Sequence, residues 1–138
     1  MPSSENRARE KMDKLWPFNK AEGKNDLAER TKAFALDIIE MSGSLPRTTA
    51  AQVLGKQILR SATSIGANYR EASRGRSKPE FIAKIGDCLK EAEETGYWLE
   101  LLGEARIVPA DKLNSLLDES RQLIAILVTI SKRARENL

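Results

Sequence analysis

Glu91, Glu94 and Glu100, in the run "DCLKEAEETGYWLE", are the side chains that most resemble a set for acid–base or metal chemistry. Clustered carboxylates serve as general acids and bases, and in helical bundles as ligands for paired metal ions. The di-metal arrangement needs a Glu-x-x-His repeat, and the chain contains no histidine at all. The same absence removes catalytic triads, zincin motifs and helical toxin-type nucleases built on Arg-x4-His. The single cysteine, Cys88, can form no intrachain disulfide and falls beside an apolar helical stripe. A thiol there is expected to be a small buried hydrophobe, not a nucleophile. The expectation is a protein that is not an enzyme and uses no metal or cofactor. The acidic run then reads as a solvated face, or as a counterpart for the arginines of a neighbouring subunit.

The cations point to a different chemistry. Net charge is only +3, but it is unevenly distributed. Residues 47–84 carry eight Lys/Arg against two Asp/Glu, residues 85–120 three against nine, and residues 121–138 four against one. On a helical wheel Lys56, Arg60, Arg70 and Arg74 fall together at about 160–240° from Leu54, opposite the apolar face. Arg76 and Lys78 continue the series into the following turn. Only Glu71 borders the stripe, whereas an ordinary solvated face interleaves both signs at i,i+4. Arg70 and Arg74 are partly accounted for by the helix macrodipole, which favours cations at a C-terminus. Lys56, Arg60 and Lys78 are not. These six residues are the candidate nucleic-acid-binding set. No aromatic is interleaved with them, so contact would be to phosphates, without base stacking.

Four amphipathic segments must position these groups. The first helix is expected from about residue 26 to 42, ended by Gly43 and Pro46. The second starts at Thr48 or Thr49 and reaches about Arg74, with Gly55, Ala62 and Gly66 forming a small-residue strip. Gly75 is expected at C′ in the left-handed conformation. "SKPE" then reads as a capping box, with Ser77 as N-cap, Glu80 at N3 and Pro79 in the first turn. The third helix runs to about Leu102, Gly103 to Pro109 form the next turn, and the fourth spans about 110–135. Four such helices with short connections predict an all-α, up-down-up-down four-helix bundle.

Residues 25–138 would form that domain, preceded by a flexible arm at 1–24 whose "KLWPFNK" stretch either folds back or docks elsewhere. No run of eighteen apolar residues and no secretory signal is visible, so a cytoplasmic protein is expected. The third helix carries more apolar surface than one stripe requires. Tyr97, Trp98, Leu101 and Leu102 wrap most of its circumference, and Ile126 lies outside the main stripe of the fourth helix. These five residues are the candidate interface of a homo-oligomer.

The segment "LRSATSIGANYREASRGRSKPEFIAKIGDCLKEAEETGYWLELL", residues 59–102, resembles the small four-helix-bundle proteins encoded in intervening sequences of bacterial large-subunit ribosomal RNA genes. It is similar as well to the accessory variability protein of diversity-generating retroelements. The specific parts are "SIGANYREA", "SKPEF" and "KEAEETGYWLELL"; many relatives read Asn-Ile-Ala-Glu-Gly where this chain has Asn68 to Ala72. The resemblance implies a homopentameric ring with a basic surface, which in the retroelement relatives serves reverse-transcriptase and nucleic-acid binding; for most members the molecular function is unknown. Two readings follow: an oligomeric scaffold for RNA or DNA backbones, or an adaptor for an acidic partner protein such as a reverse transcriptase.

Overall fold

The computed structural model describes residues 3, 4 and 27–136. Four long helices account for nearly all of that length: α1 (Leu27–Gly43), α2 (Thr49–Ser73), α3 (Lys78–Glu104) and α4 (Ala110–Glu136). Packing runs α1 on α2, α2 on α3 and α3 on α4, with a lighter α1–α4 contact closing the circuit. This is the expected all-α, up-down-up-down bundle, and no strand occurs among the described residues. The arm at 1–24, with "KLWPFNK", lies outside the described residues apart from Ser3 and Ser4.

Two of the helix starts, those of α2 and α3, have a local cause. Thr48 is extended (φ −69°, ψ 155°) and its side chain accepts from the Ala51 N–H, closing the first turn of α2. Ser77 does the same for α3, accepting from the Glu80 N–H at 3.2 Å, with Pro79 in the first turn. The Glu80 carboxylate answers one residue earlier than the simple capping box predicts, accepting from the Arg76 N–H at 3.2 Å.

Gly75 departs from the expected left-handed conformation: its φ is not in the positive range. Its value is close approach. A Cβ there would stand 3.1 Å from the Ala72 carbonyl oxygen and 3.5 Å from the Phe81 nitrogen, so the α2–α3 connector can fold tightly onto itself.

The second connector starts two residues later than the sequence predicts. Gly103 belongs to the last turn of α3, where a Cβ would collide with the Leu113 side chain of α4. The helix ends in a Schellman arrangement, with Ile107 N–H on the Leu102 carbonyl (2.9 Å) and Arg106 N–H on Gly103 (3.0 Å). The left-handed C′ residue is Arg106, with φ 59°. Glycine is the usual occupant of that position because a Cβ is disfavoured there.

The core is built from one face of each helix. Leu27, Phe34 and Ile38 of α1 meet Ile58, Ala62 and Ile65 of α2, Ile85, Cys88 and Leu99 of α3, and Leu123, Leu127 and Ile130 of α4. Each large aliphatic side chain removed from water contributes about 1.5–3 kcal/mol. Gly66 lets α1 come close, since a Cβ would lie 3.1 Å from Thr31 Oγ1 and 3.8 Å from its backbone. Gly55 faces the Leu45 side chain of the α1–α2 connector and not a helix backbone.

Arg30 of α1 ties to α4 through a two-pronged ion pair with Glu119 (2.9 and 2.7 Å) and a 2.6 Å bond to Gln122 Oε1. The hydrogen bond to Glu119 holds the Arg30 pKa above its ordinary value.

Because Arg106 is held left-handed, Arg106→Gly is expected to raise unfolding free energy by about 0.5–1 kcal/mol, read as a higher urea midpoint at unchanged m-value.

Candidate nucleic-acid interface

The α2–α3 hairpin sets the geometry of the basic stripe. Ser61 of α2 and Thr95 of α3 are fully buried and bonded to each other at 2.9 Å, with Thr95 Oγ1 also 2.8 Å from the Glu91 carbonyl. This contact fixes the antiparallel register. Arg60, the residue before Ser61 in α2, reaches across to the Glu94 carboxylate in a short ion pair and stands 3.6 Å from Glu91. Glu94 also accepts from Trp98 Nε1 at 3.3 Å. Arg60 therefore works as a clamp between α2 and α3, and the stripe is not free of acidic neighbours at its centre. Sequence pointed to Glu71 alone. Glu71 is itself occupied by Lys84, at 2.6 Å, and that hydrogen bond raises the Lys84 pKa.

The remaining cations divide by position. Lys56, Arg70, Arg74 and Arg76 are exposed and make no ion pair with the described residues. Lys78 is half-buried at the start of α3. Arg70, Arg74 and Arg76 cluster at the end of the hairpin, while Lys56 lies nearly four turns away along α2. The tip is thus an exposed concentration of cations, Arg70 in the last turn of α2 and Arg74 and Arg76 on the connector, whose backbone is capped by Ser77 and Glu80.

The expected oligomer face resolves into two groups. Tyr97 is 54% exposed, Trp98 and Leu101 are half-buried, and the Tyr97 and Trp98 rings meet at 5.2 Å with a 56° tilt. Leu102 is completely buried and Ile126 nearly so, and both belong to the bundle's own core. Leu102 packs inward because the end of α3 is flanked by both α2 and α4; Ile126 is covered within the bundle. Sequence missed Val53, which is 53% exposed. The register through Ser61–Thr95 and Arg60–Glu94 brings it alongside the turn of α3 that holds Leu101. Its position off the core stripe of α2 was the available signal. Leu36 and Ile39 of α1 are a separate exposed apolar pair.

No cluster of three or more potential metal ligands exists among the described residues. Cys88 is fully buried, and burial pushes its thiol up from 9.0 to about 12, with Asp87 adding to the effect. No helix among the described residues is long and apolar enough to cross a membrane.

Fold and site together define a helical bundle with a clamped hairpin, a cationic tip and an aromatic flank. The family model described as "23S rRNA-intervening sequence protein" matches residues 23–129, and the chain belongs to that family. It is also similar to a solved structure from Bacteroides thetaiotaomicron VPI-5482, described as a protein with unknown function from the S23 ribosomal protein family. The two are 38% identical, with a TM-score of 0.73 over 78% of this chain and 99% of that one. No curated protein matches.

The Cys88 thiol ionises near 9.0 in an unfolded chain and only near 12 in the folded one, so unfolding releases its proton between those values. Its contribution to stability is whole below pH 9 and is lost as pH rises toward 12. Urea midpoints should fall across that window in the wild type and fall less in Cys88→Ala. Native-state labelling by an aromatic disulfide at pH 8 should be at least about 100-fold slower than in urea.

Proposed function

We propose that this protein is a non-enzymatic, self-associating scaffold that binds nucleic acid by its phosphate backbone at the α2–α3 tip. The observation that carries this reading is the exposure of Arg70 in the last turn of α2 and of Arg74 and Arg76 on the connector that follows, with no carboxylate of the described residues in an ion pair with their side chains. Such cations neutralise phosphates and release counterions, which gives affinity with little sequence preference. Lys56 and Lys78 extend the surface on either side, and Arg60 supports it by holding α2 against α3. The family's name connects it with ribosomal RNA genes, and the similar solved protein is assigned to a ribosomal protein family, which is compatible with an RNA partner. The lack of histidine supports a binding role over catalysis.

Self-association rests on the flank made by Val53, Tyr97, Trp98 and Leu101. Two of these are more than half exposed, and aromatic anchors of this kind are frequent at subunit interfaces. A homopentamer is the assembly implied by the family resemblance.

Charge reversal at Arg70, Arg74 and Arg76 should weaken binding to a mixed-sequence RNA at least about tenfold in an anisotropy titration and flatten its salt dependence. Arg60→Gln should instead lower the melting temperature with little change in RNA affinity. Equal RNA affinity for the tip variant and the wild type would overturn the reading; capture of an acidic protein, with no RNA binding, would favour an adaptor.

In light scattering, the wild type is expected as an oligomer and Val53→Glu with Tyr97→Glu as predominantly monomer. Both positions are solvent-exposed, so the bundle should survive the change. A monomeric wild type would refute the interface.

A further inference from the structure

The basic tail of the sequence and the basic tip are far apart in the chain, but the topology brings them to one end of the bundle. Gly96 of α3 lies against Ser120 and Ile124 of α4, and Gly103 lies against Leu113. These contacts fix the antiparallel register, in which each step back along α3 is a step forward along α4. The first turns of α3, at Phe81 and Ile82, therefore stand opposite the last turns of α4. Phe81, Ile130 and Ala134 are buried in the same cluster, as that register requires. Lys132, Arg133 and Arg135 of α4 are exposed and make no ion pair with the described residues. They flank the connector that carries Arg74 and Arg76.

The charge of the bundle is consequently polarised along its axis. At this pole, residues 70–84 and 132–136 hold eight Lys/Arg against three Asp/Glu. At the opposite pole, residues 37–49 and 100–112 hold three against five. Two of the three carboxylates at the basic pole are already engaged: Glu71 by Lys84 and Glu80 by the Arg76 N–H. Packed helix axes lie about 8–10 Å apart, close to the Debye length of about 8 Å at physiological salt. α3 starts at the connector and has α4 packed along it, so the two groups of cations act on a polyanion as one field.

We infer that nucleic acid docks end-on across this pole, with Lys132, Arg133 and Arg135 of α4 forming the second half of the site begun by Arg70, Arg74 and Arg76. The inference rests on the proposed nucleic-acid-binding role and adds its footprint. The ligand lies across the end of the bundle and not along the side of α2 toward Lys56.

The test is an anisotropy titration of the full chain with a labelled mixed-sequence RNA of about 20 nucleotides at two salt concentrations. The tail variant is Lys132→Gln with Arg133→Gln and Arg135→Gln. The control, Arg47→Gln with Arg106→Gln and Lys112→Gln, removes the same charge from the opposite pole. Circular dichroism verifies the fold, and Lys132→Gln with Arg135→Gln alone serves if the triple change loosens the last turn. The tail variant is expected to bind at least about tenfold more weakly, with a salt slope reduced by about 2, while the control stays within about twofold of wild type. Wild-type affinity in the tail variant, with binding lost in the tip variant, would overturn the end-on footprint and leave the tip reading standing. Equal losses in tail variant and control would reduce the effect to net charge and overturn it as well. A wild type that binds no RNA at low salt would remove the proposed function itself.

Discussion

The close seating of α2 on α3 governs everything the surface can do. It is possible because the facing side chains are small: Ser61 and Ala62 on one helix, Ala92 and Thr95 on the other, all buried. Two hydroxyls in an apolar seam would cost about 1–3 kcal/mol each if left unpaired. Here they bond to each other, and Thr95 also bonds the Glu91 carbonyl at 2.8 Å while Ser61 reaches the Ile58 carbonyl at 3.3 Å. A slip of one turn along the seam would separate the pair and set each hydroxyl against an aliphatic neighbour. The hydroxyl pair therefore selects one register. Only that register sets Arg60 against Glu94, Lys84 against Glu71, and the connector at its tight closure.

That register also sorts the cations by role. A helix face with one sign of charge invites a single interpretation, yet its members differ in what lies within reach. Arg60 meets two carboxylates from α3 and a tryptophan that shares one of them, so its charge is largely spent inside the molecule. The side chains of Arg70, Arg74 and Arg76 are exposed and make no ion pair with the described residues. Their mutual repulsion is tolerated because the capping bonds of Ser77 and Glu80 hold the backbone regardless of side-chain charge.

The features legible in the sequence are local ones. Helix existence, the Thr48 and Ser77 caps and most core positions follow from apolar periodicity and from turn residues within a few positions of one another. What was not legible depends on partners distant in the chain. The Arg30–Glu119 pair joins residues 89 apart and Arg60–Glu94 residues 34 apart, and no periodicity within one helix announces either. Leu102 looked like surplus surface because one wheel shows one helix, whereas the end of α3 is flanked by two others. Gly103 looked like a helix end and is a contact point, since a glycine that admits Leu113 and a glycine that terminates a helix are the same letter. The six basic residues were found as a stripe; their division into a clamp and a pole required the third dimension.

The apolar flank and the basic pole are separated along the bundle. Val53, Tyr97, Trp98 and Leu101 lie toward the acidic end, and the arginines at the far tip. On the proposed reading, copies that associate through the flank about an axis parallel to the helices carry every basic pole to the same rim. The poles then repel across distances comparable with the Debye length, which opposes assembly most at low salt. A polyanion lying on the rim removes that repulsion, so binding and assembly favour each other, and by linkage the coupling is reciprocal. Several weak phosphate sites on one rim would also add through effective concentration without any new contact. An arrangement that placed the flank and the arginines at the same end would make the two proposed activities compete, and the length of α2 between Val53 and Arg70, about 25 Å, keeps them apart.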